Sequence, residues 1–354
     1  MRHLLHSAAL GFCIAASSLL AAETQTAIEP LTVKDARADR PLTGFVWYPT
    51  ADTAGAEMHH GNVVWKGITA IEGGAPMSGK RPLVVLSHGM YGNAMNQSWL
   101  ADGLVQAGFV VAAINHPGTS TWMRDADHAR MLWDRPRDIS RVIDHMLSDP
   151  ALIPLVDETR VFMAGHSLGG FTAVALAGGR FNAAGFRAKC DMQVDELVCG
   201  IFDRWQVART PADVREMEQD LSDPRIKAFA VFDLGGTQGF SEQSLADIER
   251  PMLVLGAPRD ISGLNLDIES RALVAALPKA STTYLEPETL SHFDFLGVCN
   301  PRAEAILADE APGDEIVCQE GAERGKRITP RSCARWWPVS QARRVRCRTE
   351  QHPI

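Results

Sequence analysis

Beyond residue 22 the chain has no apolar run long enough to cross a bilayer, so that part predicts no membrane-embedded protein. The formal net charge is −8, and no long run of one sign provides a basic footprint for nucleic acid. The chain has no Cys-x-x-Cys pair, so a structural zinc site is not expected. Repeats and low-complexity linkers are also missing. What remains is the composition of one globular domain.

The first 22 residues have the anatomy of a secretory signal peptide. A short basic start over 1–6 precedes a stretch of small and aliphatic residues over 7–20, and Ala21-Ala22 offers a cleavage site. The alternative is an N-terminal helix of the mature fold. We predict an exported protein, periplasmic or secreted, with no stable membrane insertion.

Short apolar runs alternate with helical patterns along the rest of the chain. Apolar runs of this length are typical of parallel strands that are buried on both faces. An antiparallel hairpin is expected over 32–48, strands over 83–87, 109–114, 160–164, 228–233, 252–256 and 281–285, and helices over 94–107, 136–148, 168–178 and 263–277. This alternation predicts one α/β domain over 23–325, with a mostly parallel central sheet flanked by helices.

Two segments interrupt the alternation, over 117–135 and 180–226, and we interpret them as cap insertions over a site. They are rich in large apolar side chains: Trp122, Met123, Met131 and Trp133 in the first, and Phe181, Phe186, Phe202 and Trp205 in the second. The alternative is that these side chains form the cores of the insertions themselves.

The most informative segment is Gly165-His-Ser-Leu-Gly169. A β-branched and aromatic run precedes it, and a helix of small residues follows over 171–178. This strand–turn–helix context is the one that a nucleophile elbow requires. The glycines let strand and helix approach, and Ser167 then presents its hydroxyl above the sheet. We predict that Ser167 is a nucleophile.

A serine hydroxyl needs a base and a group that orients the base. For this elbow the expected chain order is Ser, then an acid, then His. His292 in Ser291-His-Phe-Asp-Phe295 is the candidate base. Asp260, in the loop after the strand at 252–256, is the first candidate acid. Asp233, at the end of the strand at 228–233, is the alternative acid.

A tetrahedral intermediate needs backbone donors for its oxyanion. The amide of Leu168 is one expected donor, and the amide of Met90, in the loop after the strand at 83–87, is the other. Gly89 allows the sharp turn there. His88 could be a base, but a His-Gly pair at this position more often has a structural hydrogen bond. Met90, Tyr91 and His166 are the expected substrate-lining residues.

Together these segments resemble the α/β-hydrolase superfamily. Within it the chain is similar to exported bacterial proteins described as predicted dienelactone hydrolases and as relatives of platelet-activating-factor acetylhydrolase. The matching segments lie within residues 28–320: Trp47-Tyr-Pro49, Leu86-Ser-His-Gly89, Asn115-His-Pro-Gly118, Arg137-Asp-Ile139, the elbow, and Ser291–Phe295 with Cys299. Dienelactone hydrolases have a cysteine nucleophile, so Ser167 favours ordinary ester hydrolysis. In the acetylhydrolases the acid follows the strand matching 228–233, and this resemblance keeps Asp233 open.

Export would place the cysteines in a compartment where disulfides form. In an oxidising compartment Cys190–Cys199 and Cys299–Cys318 are expected to form two local disulfides. Cys333 and Cys347 lie in an Arg-rich tail over 326–354, which we interpret as atypical for the fold. It is either the product of a shifted reading frame or a flexible basic extension.

The sequence therefore predicts a serine hydrolase that cleaves carboxylic esters of small-to-medium apolar substrates through an acyl-enzyme, without a cofactor or metal. A small-molecule ester is the expected partner, and no nucleic acid is expected. A peptidase or amidase with the same triad is the main alternative. A non-catalytic binding protein with a hydrolase fold is a weaker one.

Overall fold

A computed structural model describes residues 24–34, 40–193, 196–260 and 262–319. The predicted signal peptide over 1–22 and the tail over 326–354, with Cys333 and Cys347, lie outside the described residues. Within them, no helix combines the length and the apolar character that a bilayer span requires.

The centre of the molecule is a mixed ten-stranded sheet with the order β12-β11-β10-β9-β5-β6-β2-β1-β4-β3. Strands β7 and β8 form a separate hairpin. The strands are β1 (Gln25–Val33), β2 (Leu42–Thr50), β3 (Ala56–His59), β4 (Ile68–Glu72), β5 (Arg81–Ser87), β6 (Val110–Asn115), β7 (Thr119–Ser120), β8 (Met123–Arg124), β9 (Val156–His166), β10 (Ile226–Phe232), β11 (Met252–Leu255) and β12 (Thr282–Leu285).

The six strands from β6 to β12 in this sheet order are parallel, which confirms the predicted parallel core. Strand β2 joins β6 and β1 in antiparallel pairings, so the predicted hairpin over 32–48 is present and longer than expected. The sequence does not predict β3 and β4. These strands are short, with three consecutive exposed residues in β3 and two exposed positions in β4, so they lack the continuous apolar run that marks the core strands.

Ten α-helices complete the described part of the chain. They are α1 (Ser98–Gln106), α2 (Ala126–Arg130), α3 (Asp134–Met146), α4 (Leu168–Ala177), α5 (Ala183–Met192), α6 (Leu197–Arg204), α7 (Pro211–Met217), α8 (Glu242–Ala246), α9 (Ser270–Ala276) and α10 (Ala303–Glu310). The predicted helix over 263–277 is shorter than expected. It begins at Ser270 because the backbone of Glu269 lies outside the helical region, with φ −107° and ψ −100°.

Helices cover both faces of the sheet. Successive side chains of a strand point to opposite faces, and in the core strands both sets are apolar, so each face needs a covering layer. On β5, Leu83 and Val85 belong to the apolar cluster that contains α3 and α4. Val84 and Leu86 belong to the cluster that contains α1. On α3 the apolar face has helical spacing, with Ile139, Val142, Ile143 and Met146 all fully buried.

The two segments interpreted as insertions have ordered secondary structure. Residues 117–135 contain the β7–β8 hairpin and α2, and residues 180–226 contain α5, α6 and α7. In the second segment Phe181, Phe186 and Phe202 are buried in mutual ring contact, which fits the alternative of an internal aromatic core. Trp122 in the first segment is 63% exposed. The assignment of both segments as a cap stays a prediction.

Candidate active site

The elbow lies between β9 and α4, near the middle of the parallel sheet. Ser167 has φ 54° and ψ −119°, a conformation that costs a non-glycine residue free energy and that recurs at functional sites. A Cβ at Gly165 would collide with the carbonyl of Gly169, and a Cβ at Gly169 would collide with that of Ser87. Glycine is therefore required on both sides of Ser167, as the sequence predicts.

His292 begins a short 3₁₀ turn over His292–Phe295 and lines the same cavity as Ser167. Its Nδ1 lies 2.7 Å from Oδ2 of Asp233. Asp233 directly follows β10, has φ 40°, and accepts a hydrogen bond of 3.0 Å from the amide of Ala257 through Oδ1. Both side chains are largely buried. The carboxylate is thus held by one oxygen and faces the imidazole with the other.

The expected contact between Asp260 and His292 is wrong. Asp260 is exposed and accepts a hydrogen bond of 2.7 Å from the amide of Gly263. It lines a separate open cleft of about 880 Å³. The physical reason is its position: β11 ends at Leu255, five residues earlier, whereas Asp233 immediately follows the strand that pairs with β9. Pairing of β10 with β9, the strand that leads into the elbow, places Asp233 beside His292.

His166 has a contact that the sequence does not predict. It lines the cavity, but its Nε2 donates a hydrogen bond of 2.8 Å to the backbone carbonyl of His292. The two rings are 4.6 Å apart. Burial and the neighbouring His292 hold the pKa of His166 well below its usual range, so the ring is neutral at neutral pH. The residue before Ser167 therefore holds the backbone of His292.

The two expected oxyanion donors flank Ser167. The amides of Met90 and Leu168 donate to no acceptor within the described ranges, which leaves both available for a ligand. Gly89 brings the loop close, since a Cβ there would lie 3.0 Å from Cβ of Ser167. We call residues 88–92, which carry the expected Met90 donor, the oxyanion loop; this loop passes directly beside Ser167.

His88 is fully buried beneath this loop. Its Nδ1 donates to the carbonyl of Gly89 at 2.7 Å, and its Nε2 accepts from the amide of His116 at 3.0 Å. Burial and then the charge of Arg135 hold its pKa well below the usual range, so the ring stays neutral. Its role is a structural hydrogen bond and not that of a base.

A cavity of about 690 Å³ opens above Ser167 and His292. The predicted lining residues Met90, Tyr91 and His166 all line it. Tyr91 has φ 54°, receives a hydrogen bond of 3.3 Å from Nε1 of Trp205, and lies under the guanidinium of Arg124. Further apolar lining comes from Trp65, Val198, Ile201, Phe293, Leu296 and Val317. The walls are therefore mainly apolar and aromatic.

Each disulfide joins two segments of the chain, at least one of which lines the cavity. Cys190–Cys199 joins α5 to α6, and α6 supplies the lining residues Val198 and Ile201. Cys299–Cys318 joins the segment after Leu296 to the turn that supplies Val317. The Cα–Cα distances are 5.5 and 5.9 Å. The structure contains both pairs expected from the sequence.

A second buried carboxyl, which the sequence does not predict, lies near Asp233. Glu269 is 0% exposed and accepts hydrogen bonds from the amides of Gly236 and Thr237 at 2.9 and 2.7 Å. Burial raises its pKa to about 8. A lone glutamate before a short helix has no sequence signal, because the loop that surrounds it comes from a distant part of the chain.

Comparisons with known proteins agree with this architecture. A family model described as Hydrolase_4, "Serine aminopeptidase, S33", matches residues 78–187. Cutinase est2 of Thermobifida alba is 31% identical over 99 residues, 27% of this chain and 30% of the cutinase. Cutinase 2 of Thermobifida cellulosilytica is 30% identical over 99 residues, 27% of this chain and 34% of that protein. The chain thus matches about a third of the length of these curated relatives.

A solved ferulic acid esterase from Streptomyces cinnamoneus is similar over nearly the whole fold. The TM-score is 0.55, with 19% sequence identity, over 90% of this chain and 88% of the esterase. The narrower likeness to dienelactone hydrolases and to platelet-activating-factor acetylhydrolase stays a prediction. From the parallel sheet, the elbow at Ser167 and these matches, we conclude that the chain has an α/β-hydrolase fold.

Proposed function

We propose that this protein is a serine carboxylic-ester hydrolase with the triad Ser167, His292 and Asp233. The observation that carries the proposal is the contact of 2.7 Å between His292 Nδ1 and Asp233 Oδ2, in a cavity that also contains Ser167 on its elbow. The names of the relatives, cutinases and a ferulic acid esterase, support ester chemistry.

The carboxylate decides which nitrogen of His292 acts as the base. Because Asp233 accepts from Nδ1–H, the lone pair is on Nε2. Ser167 Oγ attacks the ester carbonyl carbon while Nε2 takes the hydroxyl proton. The oxyanion accepts hydrogen bonds from the amides of Met90 and Leu168. When the C–O bond breaks, the imidazolium returns its proton to the leaving alcohol. Water repeats the sequence on the acyl-enzyme, releases the acid and restores Ser167.

The cavity favours apolar esters of small-to-medium size. Its volume of about 690 Å³ and its aromatic lining fit one acyl or alcohol group of modest length. Each buried methylene contributes about 0.8 kcal/mol at most. The disulfides hold two walls in place, so large lipid aggregates are poor substrates.

A peptidase or amidase is the second candidate, because the matching family model is described as a serine aminopeptidase. The same triad forms an acyl-enzyme from an ester or an amide. The acyl-binding walls therefore do not separate the two activities, and direct comparison of substrates is needed.

The deciding experiment uses a fluorophosphonate probe together with nitrophenyl esters of rising chain length and aminoacyl amides. The wild-type chain should be labelled and should hydrolyse the esters. Ser167→Ala should abolish labelling and lower kcat/KM by ~10⁴-fold or more. Ser148→Ala, at an exposed serine, is the matched control. Activity retained in Ser167→Ala would refute the nucleophile, and faster turnover of amides would favour the second candidate.

We also infer export of the protein. The predicted signal peptide and the two disulfides, which form in oxidising compartments, support a periplasmic or secreted location. Fractionation of cells that produce the full chain tests it: the processed protein should appear outside the cytoplasm, and an unprocessed cytoplasmic protein would contradict the inference.

A further inference from the structure

A buried polar cluster beneath the oxyanion loop has no part in the triad. Its centre is Arg135, in the first turn of α3 and 1% exposed. Its guanidinium donates to Oγ1 of Thr119 at 2.6 Å, to Oγ1 of Thr172 at 3.0 Å, to Oγ of Ser87 at 3.2 Å and to the backbone carbonyl of His88. All four acceptors are uncharged oxygens on other segments of the chain.

These contacts join the two segments that carry the oxyanion donors. His88 begins the oxyanion loop, which contains the amide of Met90, and Ser87 is the last residue of the strand before it. Thr172 lies one turn into α4, and its hydroxyl donates to the carbonyl of Leu168 at 3.0 Å, so Arg135 also fixes the first turn of the nucleophile helix. The Arg135 side chain therefore sets the distance between the oxyanion loop, which carries the Met90 amide, and the first turn of α4, which carries the Leu168 amide.

His88, which Arg135 holds through its backbone carbonyl, controls the direction of the Met90 amide. His88 Nδ1–H holds the carbonyl of Gly89, and the amide of Gly92 donates to the same oxygen at 3.2 Å. The Gly89 carbonyl and the Met90 amide belong to one planar trans peptide, so they point in opposite directions. A carbonyl held toward the interior thus directs the Met90 N–H away from it. Arg135 anchors the residue that holds this peptide.

The proton pattern of the cluster begins at Asp138. Its Oδ2 accepts from Nδ1–H of His116 at 3.0 Å, and burial holds the pKa of His116 well below its usual range, so the ring is neutral and its Nε2 is an acceptor. Ser87 Oγ therefore donates to His116 Nε2 at 2.9 Å and accepts from Arg135, whose guanidinium only donates. Ser87, His116 and Asp138 are each 0% exposed, so no substrate reaches them. Their Ser-His-Asp arrangement is a support and not a second active site.

We propose that Arg135 is the positioning residue of the oxyanion hole, linking the Met90 loop to the Leu168 turn so that both amides converge on the reacting oxygen. The inference rests on the proposed esterase function. It also gives a role to the segments Asn115–Gly118 and Arg137–Ile139, which the triad does not use: they supply His116 and Asp138 to the cluster.

The test compares Arg135→Met and Arg135→Lys with the control Arg250→Met. Arg250 also donates to backbone carbonyls of several segments, those of Leu176, Asp223 and Ile226, but at the end of α4 remote from Ser167. Active sites are counted by end-point fluorophosphonate labelling, so that unfolded protein does not enter kcat. The substrate is a nitrophenyl butyrate. The inhibitors are a trifluoromethyl ketone, which forms an oxyanion adduct, and the matching unreactive amide.

We expect Arg135→Met to lower kcat per titrated site by ~10²- to 10³-fold, the effect of losing an oxyanion donor. KM and the affinity for the amide should change little. Affinity for the trifluoromethyl ketone should fall by a factor similar to the fall in kcat/KM, because both depend on the oxyanion. Arg135→Lys should be intermediate. Arg250→Met should lower Tm and leave kcat per site within about twofold, because its contacts are structural alone.

Unchanged kcat per site and ketone affinity in Arg135→Met or Arg135→Lys, with only a lower Tm, would overturn the proposal. If Arg135→Met does not fold, Thr172→Val decides, because it removes the link to α4 and should lower kcat per site by ~10-fold with the same parallel loss of ketone affinity. A wild-type chain that is neither labelled nor active on esters would instead refute the proposed function.

Discussion

Glu269 should make the stability of this protein fall as the pH rises above 5. The carboxyl is fully buried, and its pKa is raised to about 8 by burial, against a usual value of 4.5. Between these two values the unfolded chain has lost the proton while the folded chain keeps it. The free energy of unfolding therefore decreases with pH in this window, by about 1.4 kcal/mol per pH unit.

The full window is about 3.5 pH units, so the loss reaches about 5 kcal/mol above pH 8. Glu269→Gln removes this dependence. The amide oxygen still accepts from the Gly236 and Thr237 amides, and no charge has to be buried. The two chains should have similar stability below pH 4.5. At pH 8 the variant should be more stable by several kcal/mol, on the order of the full linkage energy.

Urea unfolding of both chains at pH 5, 6.5 and 8, with the disulfides intact, measures this difference. Glu249→Gln, at an exposed position, controls for the change of net charge. Parallel stability profiles for the wild type and Glu269→Gln over this range would refute the reasoning, because they would mean that Glu269 has the same proton affinity in the folded and unfolded chains.

Three further predictions concern the site and its walls. Asp233→Asn should lower kcat by ~10⁴-fold, because the asparagine then stabilises the wrong tautomer of His292. Asp260→Asn should leave kcat within about threefold of the wild type. The opposite order in steady-state kinetics would mean that Asp260 is the acid of the triad. Replacing Cys299 and Cys318 together by serine should lower the free energy of unfolding by about 3 kcal/mol, because the disulfide closes a loop with a sequence separation of 19 and so lowers the entropy of the unfolded chain. An unchanged urea midpoint in the double variant would exclude this explanation. Activity on nitrophenyl esters should rise with acyl length and then fall when the cavity is filled. Faster turnover of long-chain triglyceride than of a butyrate or hexanoate ester would contradict the inference that the cavity walls limit the size of the substrate.

The elbow and the parallel core were predictable because their constraints are local. Gly165 and Gly169 are required by steric contacts within one strand–turn–helix unit, and a motif of five residues records them. Both faces are largely buried in β5, β6, β10 and β11, so each of these strands is a mainly apolar run that alternates with helical patterns. His292 followed from the chain order that such an elbow implies.

The acid was ambiguous in the sequence because Asp233 and Asp260 both follow apolar strands. What separates them is the sheet order, since β10 pairs with β9 and its end lies beside Ser167. Sheet order is a long-range property with no local residue pattern. The strands β3 and β4 were missed for a related reason, because exposed positions interrupt their apolar pattern.

The sequence by itself thus determined the fold class, the strained turn that carries Ser167, and the pairing of nearby cysteines. In each case neighbouring residues impose steric, periodic or spacing constraints that a reader of the chain can see. Only the tertiary structure decided that Asp233 faces His292, that Arg135 joins the oxyanion loop to α4, and that Glu269 is buried against the acid-bearing loop. These contacts join residues that are 32 to 59 positions apart, and they depend on the burial and orientation that the packed sheet imposes.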